Sequence, residues 1–376
     1  MRNTTFREVT LKTQIILPAL LALALPMTAF SSDGVSIASS GADINMSLSP
    51  KGLNSDNVFI DAAGQVSVDL PFQISIDLKG RIDETLDSAK NEKLDQDFFW
   101  KTLEGLAIRK KIFYTVAVGK VDAGFGARGT GIGETAMNRQ RDSLLYANSF
   151  SMRSVTGVQV VVDNEIPAAS QVAAVLNQIL SGITITLYDA NAGIKPTLSD
   201  FQHLQSLAVR KVGKALGIDY QVSYVNAKFA DGTKDQRYSI SLQKCLDLGC
   251  IYGEHQDTRK SDLTGMKNAT TVGVSKTISG VNLAAEYTNV QMKPNGVILA
   301  PNVPTTGTNV ALIANKDVGG VTLGASMQRD LDNKENIYRL NANIKFGASQ
   351  ADGHLFGGSA ADLHEAVAAQ QEANDK

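Results

Sequence analysis

Short segments in which apolar and polar residues alternate run through most of the chain, and they constrain the fold more than any other feature. The last of them, IYRLNANIKF, places Tyr338, Leu340, Ala342, Ile344 and Phe346 at one parity and polar side chains at the other. A helix would scatter these charges around its surface, whereas a β-strand collects them on one side. The same alternation in ISIDLKGRI and GIDYQVSYV predicts further strands with one apolar and one polar face.

Short turns and longer connections alternate in the second half of the chain, which is typical of an up-and-down antiparallel meander with two unequal rims. The short turns are expected at residues 212–216, 246–249, 278–280 and 317–320. The longer connections are expected at residues 230–235, 255–266, 292–306 and 329–336. About sixteen strands are expected, beginning near residues 35, 65, 74, 102, 112, 149, 158, 206, 218, 236, 248, 268, 281, 308, 321 and 337. An even count places both termini at the end with the short turns.

One stretch leaves the strand assignment open. Val172–Leu180 is helix-like, whereas Ile183–Tyr188 alternates as a strand does. We assign both to a long insertion after the strand VQVVVD. In the alternative, Ile183–Tyr188 is itself a strand of the sheet and SMRSVTGVQVVVD runs as one strand, which leaves the total unchanged.

The first thirty residues predict export. Arg2, Arg7 and Lys12 precede the apolar run Ile15–Leu25, and small residues follow near Ser31. This pattern is typical of a secretory signal peptide over residues 1–31. A retained helical anchor is the alternative, but the run falls short of the roughly 20 apolar residues that a spanning helix needs.

The charge balance excludes one class of partner. Thirty-six basic and 38 acidic residues are mixed along the chain and give a net charge of −2. A nucleic-acid-binding protein would carry a basic patch, so no nucleic-acid partner is expected. Export, about sixteen similar strands without a compositional break, and a polar face on nearly every strand favour a transmembrane β-barrel over a soluble β-sandwich. The fold class is therefore all-β, an antiparallel up-and-down barrel at residues 32–346.

The two cysteines stand close together in KCLDLGCIYG. Cys245 and Cys250 flank the expected tight turn, and export makes a disulfide across this hairpin possible. A metal site is the alternative, but only His255 lies near enough in sequence to act as a third ligand. No cofactor or metal is expected.

The segment GKVDAGFGARGTGIG carries Gly124, Gly126 and Gly129 in the spacing of a dinucleotide fingerprint, with Lys120 upstream. That fingerprint needs a strand, a glycine turn and a helix within a βαβ unit, which the chain does not predict. We expect instead a loop at residues 122–148, whose glycines allow close packing against the inner wall. A solvated surface loop is the alternative.

Two segments carry a resemblance to a known family. The stretches KTLEGLAIRKKIFYTVAVGKVDAGFGARG and SFSMRSVTGVQVVVD resemble the Gram-negative general porins, in which such a strand, turn and strand lead into a loop folded back into the pore. The resemblance implies a water-filled outer-membrane channel, with no enzymatic activity, for passive diffusion of small hydrophilic solutes and ions. It also implies a homotrimer in outer-membrane lipid. Porin chains usually end on the aromatic residue of the last strand, whereas here residues 347–376 follow Phe346 as a periplasmic tail, disordered or loosely helical.

The alternation also predicts which charges line the pore. The inward basic residues are Lys79, Arg81, Arg153, Arg210, Arg237, Arg339 and Lys345, and the inward acidic ones are Asp69, Asp77, Asp219 and Glu286. We expect Lys79, Arg81 and Arg153 to form a basic ladder facing an acidic group on the loop, which consists of Asp122, Glu134 and Asp142. The loop arginines Arg128, Arg139 and Arg141 would also stand in the lumen.

Two rival functions remain at this level. A barrel with a plugged lumen would serve as an adhesin or receptor. A hydrolase at the rim would need a general base, for which His255 beside Glu254 is the sole candidate.

Overall fold

Sixteen β-strands make up nearly all of the described part of the chain. The computed structural model describes residues 36–48, 58–85, 103–111, 114–121, 155–162, 180–193, 195–260, 266–292, 307–318, 321–332, 334 and 336–346. The predicted signal peptide, the loop at 122–148 and the tail at 347–376 lie outside these residues. Among the described residues, no helix has the length and hydrophobicity to cross a membrane.

The strands follow one another with few other elements. They are β1 Ser36–Leu48, β2 Val58–Leu70, β3 Ile74–Thr85, β4 Leu103–Lys111, β5 Thr115–Val121, β6 Val155–Val162, β7 Ile183–Asp189, β8 Ser206–Ala215, β9 Ile218–Lys228, β10 Lys234–Leu246, β11 Gly249–Lys260, β12 Met266–Ile278, β13 Val281–Met292, β14 Gly307–Val318, β15 Val321–Asp330 and β16 Asn336–Phe346. Two short 3-10 turns, Pro71–Gln73 and Asp200–Gln202, lie between β2 and β3 and between β7 and β8.

Every strand pairs antiparallel with its neighbours in sequence. β1 pairs with β2 on one side and with β16 on the other, so that the strand order is that of a closed barrel. Ser40 lies opposite Phe346, and Ser36 lies opposite Asp69, so the start of β1 and the end of β16 lie at the same end as the short turns. The expected all-β, up-and-down antiparallel architecture is confirmed.

The short turns have the backbone that two-residue hairpins require. Leu216 and Gly217 join β8 to β9 with φ of 53° and 71°, and Ser279 and Gly280 join β12 to β13 with φ of 51° and 74°. Two successive positive φ values match the right-handed twist of the strands they connect. The turn predicted at 212–216 begins only at Leu216, the last residue of that range, because β8 continues to Ala215.

Our assignment of Ile183–Tyr188 to a long insertion after β6 is wrong. Ile183–Asp189 is strand β7, paired with β6 on one side and β8 on the other. The alternative therefore holds, with Val155–Val162 as a single strand. The pairing has a simple cause, because inserting β7 gives both β6 and β8 a hydrogen-bonded neighbour for their backbone groups.

At the end opposite the short turns, two of the connections are shorter than predicted, because the strands are longer. Residues 255–260 belong to β11, so the connection expected at 255–266 shrinks to 261–265. Their pairing with β10 and β12 continues the ladder, and Tyr238 donates its hydroxyl to Asp257 Oδ2 at 2.8 Å. Phe229–Thr233 likewise forms a link of only five residues between β9 and β10. We call this end the long-loop rim and the other end the short-turn rim.

Candidate functional site

The inner face of the barrel is polar and buried. Along β8 to β15, inner side chains with at most 8% exposure include Gln221, Ser223, Ser239, Ser241, Gln256, Thr271, Glu286, Asn309, Asn315, Ser326 and Gln328. On the outer face of these strands and of β16, exposed apolar side chains include Val222, Tyr224, Ile240, Leu242, Ile251, Val272, Val274, Leu283, Tyr287, Leu312, Leu323, Tyr338 and Leu340. The wall therefore reverses the arrangement of a soluble sheet, which hides its apolar face.

A buried ion pair lies on the inner face of β10. Arg237 Nε donates to Asp235 Oδ1 at 3.0 Å, and Arg237 Nη2 also contacts the second carboxylate oxygen. Both residues are 1% exposed. They occupy positions i and i+2, which a strand places on one face. Arg237 lies inward, where the sequence analysis placed it, whereas its partner Asp235 lies in β10, in a segment we had expected to be a connection.

A second charged group lies on β3 and β4. Asp77 is fully buried, its Oδ1 accepts the hydroxyl of Ser67 at 2.6 Å, and its Oδ2 lies 3.4 Å from Arg109 Nε. Asp77 was predicted to point inward. Arg109 was missed, because it falls within the basic run RKK, and only its two-residue step from the small inner residue Ala107 marks its face.

Other predicted inward residues occupy inner positions of the ladder. Arg210 lies opposite Thr184 on one side and Ser223 on the other, both of which are buried inner residues. Glu286 is buried on β13. Asp69 accepts a hydrogen bond from Ser75 at 2.6 Å, and Asp219 lies 3.6 Å from Lys214 at the short-turn rim.

The side chains of the remaining predicted pore residues lie outside the described part of the structure. Lys79, Arg81, Arg339 and Lys345 belong to β3 and β16, but their side chains lie outside the described part of the structure. The same holds for the whole of Arg153, Asp122, Glu134 and Asp142. The basic ladder and its acidic counterpart on the loop stay a prediction.

Inner polar side chains are hydrogen-bonded along the wall. Gln159 Nε2 donates to Thr186 Oγ1 at 3.0 Å across β6 and β7, and Gln256 Nε2 donates to Glu254 Oε1 at 2.9 Å along β11. Thr271 and Thr288 hydroxyls lie 3.0 Å apart. Such contacts satisfy groups that would be costly to bury alone.

Part of the inner face departs from this polar pattern. Small and apolar residues form a buried patch on β4 to β9, composed of Ala107, Ala117, Val121, Val155, Tyr188, Ala208, Val225 and Ala227. Tyr188 packs against Gly157 on the neighbouring strand, where a Cβ would lie 2.8 Å from the Tyr188 Cβ. The patch reaches Val121 and Val155, the two strand ends that flank residues 122–154.

The structure separates the two groups proposed for a rim hydrolase. Glu254 lies on the inner face, whereas His255 is on the outer face, where its Nδ1 lies 2.8 Å from Thr270 Oγ1. Successive residues of a strand point to opposite faces, so Glu254 and His255 do not combine into the acid–base site that the hydrolase hypothesis needs. Within the described residues, no three His, Cys, Asp or Glu side chains cluster as metal ligands would.

Both rims carry small ordered features. Cys245 and Cys250 form a disulfide across the turn between β10 and β11. At the long-loop rim, Asp231 Oδ1 accepts the backbone N–H of Thr233 at 2.8 Å and its hydroxyl at 2.7 Å. These hydrogen bonds stabilise the carboxylate and lower the pKa of Asp231.

Lys120, upstream of the glycine segment, donates a hydrogen bond to the carbonyl of Leu103. The strand that carries Lys120 pairs only with antiparallel neighbours.

Known structures share this fold at low sequence identity. No protein-family model matches the chain, and no curated protein matches it. Two mutants of the Rhodopseudomonas blastica porin align over 83% of this chain and 100% of theirs, at 12% and 13% identity, each with a TM-score of 0.52. OmpF of Salmonella typhi, in a complex with daunomycin, aligns over 83% of this chain and 97% of its own at 10% identity and a TM-score of 0.55. The chain is therefore similar in fold to porins.

Proposed function

We propose that this chain is an outer-membrane porin, a sixteen-stranded transmembrane barrel through which small hydrophilic solutes and ions diffuse passively. The observation that carries the proposal is the reversal of the wall, with exposed aliphatic side chains outside and buried polar ones inside. A barrel in a bilayer satisfies its backbone by closure, presents an apolar band to lipid and keeps its interior polar. The porin-like fold supports the same function, and so does the predicted signal peptide.

The proposed constriction combines the wall and the loop. In this proposal residues 122–148 fold inward, which is supported by the burial of Val121 and Val155, the inner-face residues of the described strands before and after the segment. Lys79, Arg81 and Arg153 then face Asp122, Glu134 and Asp142 across the passage. Charges at a narrow point set ion selectivity, and the diameter sets the size limit. Three copies assemble as a homotrimer, as the resemblance implies.

A second candidate function has one specific observation in its favour. The inner polar side chains of β8 to β15 are almost entirely buried, which is the pattern of a filled lumen rather than an open one. A plugged barrel would act as an adhesin or receptor and would conduct no ions in its resting state.

Conductance in planar bilayers separates the two functions. We expect stepwise current increments from the heat-modifiable purified protein and none after boiling. If the folded protein inserts but passes no current, the plugged barrel is correct and the channel is not.

Selectivity tests the constriction itself. Replacing Arg81 and Arg153 by serine is expected to shift the reversal potential toward cations in a salt gradient, because positive charge is removed from the passage. The matched control replaces two lysines on the outer face, Lys276 and Lys316, by serine, and should leave the reversal potential unchanged. Equal behaviour of both variants would show that the two arginines do not lie at the constriction.

A further inference from the structure

A groove on the outer wall breaks the otherwise continuous apolar surface. It has a volume of about 890 Å³ and spans β10 to β16 near the short-turn rim. Its floor is made by Ala285, Ala314 and Ala325, small residues of three adjacent strands, with Ala314 directly opposite Ala325. Its sides are built by larger apolar residues, among them Leu246, Leu248, Ile251, Leu312, Met327 and Tyr338. The groove therefore has the shape and the apolar lining that a hydrocarbon chain fits.

Lysines recur at one edge of this groove. Lys244, Lys276 and Lys316 each stand two residues before the last residue of β10, β12 and β14, and all three are exposed. Each is followed at the next outer position by an exposed aliphatic residue, in turn Leu246, Ile278 and Val318. We call these three lysines the lysine row. Lys276 itself lines the groove.

The register explains why the row is regular. Neighbouring lysines of the row are two interstrand spacings apart across the sheet and two residues apart along it, because Lys244 is level with Val274 and Lys276 with Ala314, which separates them by roughly 12 Å. Lys244 lies opposite Ile251 and Lys276 opposite Leu283, both of which line the groove. No ion pair joins the row to another residue in the described strands. Its charge is therefore available to an anion from outside the wall.

Both rims carry more basic than acidic residues on the described part of the outer face. At the long-loop rim, Lys228, Lys234 and Arg329 share their end of the barrel with Asp257. At the short-turn rim, the strands carry Lys110 in addition to the row, and the acidic residues nearby are Asp247 in a turn and Asp317 beside Lys316. The short-turn rim is distinguished by the apolar groove beside its lysines, where their positive charge complements an anionic lipid headgroup.

The height of the wall, compared with that of the apolar band, places the lysine row at the level of the lipid headgroups. Thirteen residues of β12 tilted by about 40° rise roughly 33 Å, whereas the apolar band of such barrels is about 25 Å tall. A residue near the strand end therefore lies at the boundary of the hydrocarbon, from which a lysine extends its ammonium group to the phosphates.

We propose that this lysine-edged groove binds an anionic glycerophospholipid of the leaflet at the short-turn rim, with an acyl chain along the alanine floor and the phosphate on the lysine row. The proposal rests on the membrane location given under Proposed function. It assigns to the outer wall a lipid site that is separate from the passage inside the barrel.

Native mass spectrometry of the purified protein in detergent tests the site with two probes of identical acyl chains, phosphatidylglycerol and phosphatidylcholine. We expect several-fold greater retention of phosphatidylglycerol. The Lys244→Ser, Lys276→Ser, Lys316→Ser triple variant should lose this preference, since one lysine beside the phosphate contributes about fivefold. The matched control replaces Lys228, Lys234 and Lys267 at the other rim by serine and should retain it.

Filling the floor separates a built site from general attraction to positive charge. Ala314→Leu leaves the lysine row intact but occupies the groove, and should also reduce retention of phosphatidylglycerol. Equal retention of both lipids by the unaltered protein, or unchanged retention in the triple variant or in Ala314→Leu, would overturn the proposal. Normal bilayer insertion and conductance of all variants in that case would leave the porin function standing, whereas failure of the unaltered protein to insert would overturn both.

Discussion

The two faces of β10 offer the sharpest comparison in the molecule. The inner face is polar and buried, and consists of Asp235, Arg237, Ser239, Ser241 and Gln243. The outer face exposes Ile240, Leu242 and Leu246. In water, exposing the aliphatic face would cost about 25 cal/mol for each Å² left unburied. This difference is what an apolar medium outside the wall would produce, as proposed above, with the polar groups held by one another inside.

The largest expected effect comes from breaking the ion pair of the inner face. Arg237→Ala leaves the carboxylate of Asp235 buried without its bidentate partner, which should lower the free energy of unfolding by ~3–5 kcal/mol. Lys214→Ala is the control, because it breaks an exposed pair and should cost only ~0–1 kcal/mol. Urea unfolding in liposomes, followed by circular dichroism, measures both. Similar small losses would show that Arg237 is solvated.

Charge placed on the outer face should have the next largest effect. Ile240 lies at the middle of β10, so Ile240→Arg should cost ~2–4 kcal/mol if that face meets the hydrocarbon. Ile278→Arg, at the end of β12, should cost only ~0–1 kcal/mol, since the cost falls toward the interface. The same unfolding assay compares them, and a cost that does not depend on depth would speak against a bilayer around the wall.

Packing within the wall gives a smaller effect. A Cβ at Gly157, on the inner face, would lie 2.1 Å from the backbone oxygen of Leu187, so Gly157→Ala must displace β7 and should cost ~1–3 kcal/mol. At Gly253, on the outer face, the nearest atom would be 3.4 Å away, and Gly253→Ala should be close to neutral. If both variants unfold at the same urea concentration, the close contact between β6 and β7 is not maintained.

The smallest effect is expected at the hairpin turn. The disulfide joins residues five apart, so replacing Cys245 and Cys250 by serine should cost less than the ~3 kcal/mol of a 15-residue loop. Thiol labelling of the denatured, unreduced protein should find no free cysteine. Labelling at both positions would mean that the bond does not form in the exported protein.

Alternation predicted the strands of the wall best where one face is polar and the other is aliphatic along the whole strand. The starts of β8 to β16 were placed within two residues, because each of these strands carries polar residues at one parity and aliphatic residues at the other. The same step of two put Arg237 and Asp77 inward. The connections were placed less well, since β11 continues as far as Lys260, beyond the point where polar residues at both parities end the pattern.

The region from β4 to β7 was harder to predict because its inner face is not polar. Ala107, Ala117 and Val155 stand where polar residues would mark the interior, so strands there are apolar at both parities. β7 itself alternates, with Thr184 and Thr186 on the inner face, and it was misplaced because it was grouped with the helix-like segment Val172–Leu180 that precedes it. Arg109 was missed because it falls within the basic run RKK, and the pairing of Arg237 with Asp235 required the observed start of β10.

Quenching of a fluorophore on β10 tests the central claim most directly, namely that the outer face meets lipid and the inner face does not. Single cysteines at Leu242 and Ser241 would carry bimane in proteoliposomes, since the native cysteines are joined in the disulfide. Nitroxide-labelled lipid should quench the label at position 242 and leave the label at position 241 unaffected. Quenching of position 242 by aqueous iodide but not by the lipid nitroxide would contradict the account.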